Sequence, residues 1–131
     1  MTVAFWCVLV AMLLAWPPKI AFSVALARSQ AGYDNRQPRA QQAQLEGWMA
    51  RARDAHYNTL EAFPPFAAGV LVAHLAGLDE HRAAVLAVVF VVARTLYPLL
   101  YIANIDGLRS AVWGVGYLAT ILLYVMPWLV G

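Results

Sequence analysis

Long apolar runs, very short connections between the later ones, and the lack of sustained alternation predict an all-α integral membrane protein, an up-down four-helix bundle. A span needs roughly 20 predominantly apolar residues to cross the hydrocarbon of a bilayer. Runs of Leu, Val and Ala without a period of two suit helices and not barrel strands. Short connections make successive helices antiparallel neighbours. With 131 residues, 63% hydrophobic and 12% charged, the chain has room for one membrane domain over residues 1–131 and no separate soluble one.

The first span is expected over residues 2–27. Trp16-Pro17-Pro18-Lys19 interrupts it, and the proline pair predicts a kink. Ala25-Leu26-Ala27 looks like the small-residue site of a cleaved signal peptide. No basic residue precedes the apolar run, however, and the prolines break it, so the segment is expected to remain as a span. Cys7, the single cysteine, lies in this run as a small buried hydrophobe, with no partner for a disulfide and no metal set around it. The first loop is polar, and its latter half lacks helix breakers except Gly47, so the second helix starts before the membrane. Its span covers 52–77, with the apolar stretch beginning at Leu60 and holding Pro64-Pro65. The third and fourth spans cover 82–103 and 107–130.

A net charge of only +2 gives no reason to expect a nucleic-acid partner. The arginines serve better as orientation signals. Arg28, Arg36, Arg39, Arg51 and Arg53 belong to the first loop and the start of the second helix, and Arg109 to the third loop. The second loop has only Arg82 against Asp79 and Glu80. The positive-inside rule then places the first and third loops in the cytoplasm and both termini outside. Lys19 is within snorkelling reach of that cytoplasmic interface. Trp6 and Trp128 would mark the outer interface, Trp48 and Trp113 the inner one.

Against this background Arg51 to Phe66 stands out. Ionisable groups carried into a bilayer are costly and tend to mark a bundle interior or a wet cavity. Arg51, Asp54, Asn58 and Glu61 recur at helical spacing and form one polar stripe, with His56 off it and Arg53 and Tyr57 beside it. In the third span Arg94 is flanked by apolar residues, with Tyr97 and Tyr101 on the same face. In an antiparallel hairpin turning near Asp79, Glu61 and Arg94 differ in depth by about one helical turn. They are expected to pair directly or across an anion. The fourth span opens on Gly107-Leu108-Arg109-Ser110, where free N–H groups at a helix start suit an anion. Cations, a carboxylate, an amide and hydroxyls together suit a small zwitterion. A purely structural use of the Glu61–Arg94 pair is the competing reading.

Residues 53–66, Arg-Asp-Ala-His-Tyr-Asn-Thr-Leu-Glu-Ala-Phe-Pro-Pro-Phe, resemble the Arg/His-Asn-x-x-Glu-x-x-Pro-x-Phe pattern of the MAPEG superfamily, membrane-associated proteins in eicosanoid and glutathione metabolism. Ala93-Arg94-Thr95-Leu96-Tyr97, Tyr101 and Leu108-Arg109-Ser110 look like its later blocks. The resemblance covers all four spans and points to a bacterial-type member in the inner membrane. It implies a homotrimer with sites between subunits near the cytoplasmic face, and glutathione as co-substrate, without a metal. Carried over by position, Asn58, Glu61 and Arg94 would hold glutathione together with Arg51 and His56. Tyr101, Arg109 and Ser110 would be the catalytic residues, with Tyr101 lining the same pocket, Arg109 at a glutathione carboxylate or the thiolate, and Ser110 beside the sulfur. The implied activity is a glutathione-dependent transferase or peroxidase acting on a hydrophobic small molecule, because the thiolate is the nucleophile. Asp54 and Tyr57 depart from the pattern, occupying places where catalytic relatives carry more arginines. They favour an alternative, a non-catalytic protein binding a membrane lipid or another anion in the inter-subunit cleft.

Overall fold

A computed structural model describes residues 1–130 and holds six helices in the order α1 (Val3–Leu13), α2 (Trp16–Arg28), α3 (Pro38–Ala43), α4 (Gly47–Leu75), α5 (Glu80–Ile102) and α6 (Asp106–Val130). α1 and α2 are two halves of the first expected span. They part at Leu14–Ala15, just ahead of the proline pair. Proline lacks an N–H, so Pro17 and Pro18 release the carbonyls one turn before them, while both fit the first turn of a new helix where that N–H is not needed. The predicted kink is therefore a helix restart. The carbonyl of Ala15 at the break accepts from His56 Nδ1 on α4 at 2.7 Å.

α4 begins at Gly47, whose φ of +59° suits a residue without a Cβ, and runs through Pro64-Pro65 without ending. It closes at Gly77, φ +79°, where Leu78 N donates back to the carbonyl of Ala73 at 2.9 Å. Asp79 then caps α5 by accepting from the backbone N–H of Arg82. Asn104, at φ +61°, makes the turn into α6.

The sequence predicts four spans, whereas three segments are long and apolar enough to cross a membrane: Val3–Arg28, Glu80–Ile102 and Asp106–Val130. α4 falls short because Arg51, Arg53, Asp54 and Glu61 occupy its first half and the proline pair and His74 dilute its second. The three apolar spans make this an integral membrane protein.

α5 packs against α6, α4 and α1, and α6 also packs against α4. The main core joins Cys7 and Ala11 of α1, Phe66 and Val70 of α4, Ala87 and Phe90 of α5, and Ala119 and Leu123 of α6. Phe66 and Phe90 stack face to face with centroids 3.8 Å apart. Small residues bring the backbones close, as membrane helices require when there is no hydrophobic drive to associate. At Gly69 an added Cβ would stand 3.0 Å from the Tyr124 ring. Large apolar side chains point outward instead: Trp6, Leu9 and Leu13 on α1, Val85 and Val92 on α5, and Leu118 and Val125 on α6 are exposed. A second, smaller cluster of Phe22, Leu26 and Ala52, flanked by Tyr33 and Leu45, fastens the first loop to α2 and α4.

Candidate functional site

The polar stripe of α4 does not face solvent along its length; its middle faces α5 and α6. There Asn58 and Glu61 meet Arg94 of α5 around a cavity of about 390 Å³, whose other walls include Phe90, Trp113, Tyr117, Thr120 and Tyr124. A second cavity of about 250 Å³ is lined by Asn58, Tyr97, Tyr101, Arg109, Ser110 and Trp113. Asn58 and Trp113 line both, so the two are neighbouring compartments of one cleft. The smaller is walled by hydroxyls, an amide and a guanidinium, and the larger by aromatic rings with one polar end.

Arg94 is 2% exposed. One of its terminal nitrogens donates to Asn58 Oδ1 and to Thr59 Oγ1, both at 3.0 Å, and its guanidinium lies 4.3 Å from the centroid of Tyr97. Its Nε is buried without a hydrogen-bond partner. Arg109 stands in the same relation to Tyr101, 4.2 Å from the ring centroid. Tyr97 and Tyr101 contact edge to face at 5.6 Å. Two cations are thus seated on two touching rings, with N–H groups left for an acceptor. Among the described residues the ion pair formed is Arg53 with Asp54 at 2.8 Å. The expected Glu61–Arg94 pair is replaced by neutral acceptors. Arg94 reaches Asn58 and Thr59, nearly a turn earlier on α4, because residue counting assumes a straight, symmetric hairpin, and α4 carries two internal prolines. Glu61 remains exposed at the cavity wall.

Of the other residues singled out by the sequence, Tyr101, Arg109 and Ser110 gather at the smaller cavity. Arg51 lines neither cavity; its Nε donates to the carbonyl of Ile102 at 3.0 Å, holding the end of α5. His56 also lines neither. It is 7% exposed, packs edge to face against Phe22, and donates to the Ala15 carbonyl. At 100° per residue it projects from α4 roughly opposite to Asn58. Asp54 is occupied by Arg53, which also donates to the carbonyl of Gln42. Among the described residues no three His, Cys, Asp or Glu side chains gather so as to hold a metal ion.

Tyr117, Thr120 and Tyr124 belong to no motif, yet they complete the larger cavity with Trp113. Their signal is periodicity: positions 113, 117, 120 and 124 form one stripe on α6. Trp113 and Tyr117 stack with centroids 5.2 Å apart, and Tyr124 Oη donates to the carbonyl of Pro65 at 2.9 Å. That bond ties α6 to α4 beside the proline pair.

No match was found among curated proteins or among solved structures. The sequence model of the MAPEG family matches residues 3–129, nearly the whole chain. The cleft between α4, α5 and α6, with its buried arginine and paired tyrosines, is therefore carried by a member of the MAPEG family of membrane proteins.

Proposed function

We propose that the cleft binds glutathione and serves a glutathione-dependent transferase or peroxidase acting on hydrophobic electrophiles at the cytoplasmic membrane face. The observation that carries this reading is the adjacency of two unlike compartments across Asn58 and Trp113. A hydrophilic thiol and an apolar partner need such neighbouring environments to meet. Glutathione would supply the nucleophilic thiolate. Asn58, Glu61 and Arg94 offer an amide, a carboxylate and a cation for its polar ends. The buried, unpartnered Nε of Arg94 is a donor in want of an acceptor. Arg109, held against Tyr101, and Ser110 offer a positive charge and a hydroxyl that favour a thiolate over a thiol. The aromatic wall of Phe90, Tyr117 and Tyr124 suits the apolar substrate.

The same reading extends to assembly. The apolar half of α4 serves as the second span and completes an up-down four-helix protomer, both termini lie outside, and the protein is a homotrimer of the bacterial inner membrane. Glu61, Trp113 and Tyr117 are exposed at the cleft. A carboxylate beside an apolar run is poorly placed against lipid, so a neighbouring protomer covering this side is the natural arrangement. A second reading, a non-catalytic cleft for a lipid or other singly charged anion, rests on Asp54, whose pairing with Arg53 takes one cation from those able to hold a dianionic peptide.

The test is thermal unfolding of the detergent-solubilised protein with reduced glutathione against an equally charged peptide lacking the thiol. A ligand at about 100 times its dissociation constant stabilises the native state by roughly 2.7 kcal/mol. A rise specific to the thiol peptide, together with conjugation of an apolar electrophile lost in Arg109→Ala, is the expected result. No rise at several millimolar overturns the glutathione reading in favour of the non-catalytic one.

A further inference from the structure

A second polar feature lies on the far side of α4 from the cleft. There a ladder of rings runs between two cations. Lys19 Nζ of α2 stands 5.0 Å from the centroid of Phe22, Phe22 meets His56 at 6.4 Å, His56 meets Tyr57 at 5.3 Å, and Arg39 of α3 lies 4.8 Å from the centroid of Tyr57. The first loop reaches this flank because Gln42 is buried against α4, where its carbonyl accepts from Arg53 and its side-chain oxygen from Tyr57 Oη.

The two cations have ring faces and no carboxylate. Of the acids in the first loop and the start of α4, Asp54 pairs with Arg53, Asp34 accepts the backbone N–H groups of Arg36 and Gln37 at 2.8 and 3.2 Å, and Glu46 forms no ion pair with either cation. Both cations border His56, Lys19 through Phe22 and Arg39 through Tyr57, so their charges fall on one flank of α4. Like charges gathered without a counter-charge are stabilised by an anion placed between them. On the apolar side of Lys19, toward the middle of the first span, Met12, Leu13 and Trp16 are 44%, 51% and 54% exposed. Cations at the polar boundary above exposed apolar side chains match a molecule with an anionic head and acyl tails.

We propose that Lys19 and Arg39 hold the phosphate of an anionic phospholipid headgroup on the α2–α3–α4 flank, with its acyl chains lying along α1 and the start of α2. This site is separate from the cleft and goes beyond the reading given for it. It binds the first loop down onto the membrane surface, since Arg39 is carried by that loop and Lys19 by the span.

The experiment reconstitutes the full chain in vesicles of equal phosphatidylglycerol and phosphatidylcholine, extracts it in mild detergent, and measures the two lipids retained per protein by mass spectrometry. Wild type is expected to keep phosphatidylglycerol several-fold in excess. The double variant Lys19→Gln/Arg39→Gln is expected to fall to the bulk ratio, while Arg28→Gln/Arg36→Gln, which removes two exposed charges from the same side, keeps the excess. Should the double variant fail to fold, each single variant is expected to lose a substantial part of the excess. Equal enrichment in all three proteins, or equal loss in both double variants, overturns the site. A parallel thermal measurement compares inorganic phosphate with short-chain phosphatidylglycerol. Stabilisation by phosphate equal to that by the lipid overturns the lipid as occupant.

Discussion

Replacing Arg94 with methionine separates a binding residue from a structural one. Arg94 is 2% exposed, makes two hydrogen bonds at 3.0 Å and rests on the ring of Tyr97. Hydrogen bonds from a charged donor contribute about 1.5–3 kcal/mol each and a desolvated ring contact up to about 2, so these contacts favour arginine by roughly 3–8 kcal/mol. Against that, a guanidinium buried without a carboxylate costs several kcal/mol, and its Nε has no partner. The two sums nearly cancel, and methionine, flexible and apolar, fills the vacated space. Arg94→Met is therefore expected to unfold within about 2 kcal/mol of wild type. Half of a buried ion pair with Glu61 would cost about 3–5 kcal/mol on removal. The stabilisation by glutathione, roughly 8–10 °C at saturating ligand for a chain of this size, is expected to vanish. Tryptophan fluorescence during heating, with and without glutathione, reads both quantities. A variant destabilised by 3–5 kcal/mol that keeps the full ligand response would show Arg94 to be structural and refute the reasoning.

The remaining expectations concern the surrounding frame. His56→Leu leaves the Ala15 carbonyl unpaired at the α1–α2 break and should cost about 1–3 kcal/mol in thermal unfolding while leaving glutathione stabilisation intact; loss of the ligand response alone would return His56 to the site. Gly69→Ala places a Cβ 3.0 Å from the Tyr124 ring and should destabilise by about 1–3 kcal/mol, with Tyr124→Phe, which loses the bond to Pro65, the milder of the two. An unchanged melting temperature for Gly69→Ala would mean that α4 and α6 do not pack this closely. Gln42→Ala removes the acceptor for Tyr57 and should speed tryptic cleavage at Arg36 and Arg39 several-fold relative to wild type; equal cleavage would show that the loop is held elsewhere. In a Cys7→Ser background, an impermeant thiol reagent applied outside intact cells should label Asp79→Cys and spare Gln44→Cys. The reverse pattern would invert the topology.

Much of the architecture is legible along the chain because it is local. Apolar runs of sufficient length, proline pairs and glycine at helix ends act within a few residues, so the helices, the break near Pro17 and the early start of α4 can be read without knowing what packs where. The polar face of α4 and the Arg94–Tyr97–Tyr101 face of α5 follow from spacing alone, as does the family pattern that marks Arg109 and Ser110. The partner of Arg94 is another matter. A guanidinium reaches about a turn in either direction, and the choice of Asn58 and Thr59 over Glu61 depends on the register of two helices, one with proline inside. The destinations of His56 and Arg51 depend on which carbonyls the Ala15 break and the end of α5 leave open. Thus the sequence alone determined the long helical segments, the apolar character of three of them and the residues able to do chemistry, since each is set by neighbours in the chain. Only the tertiary structure decided which of those residues share a cleft, which hold the frame together, and which α6 aromatics wall the larger compartment, because these depend on the rotation and depth of one helix against another.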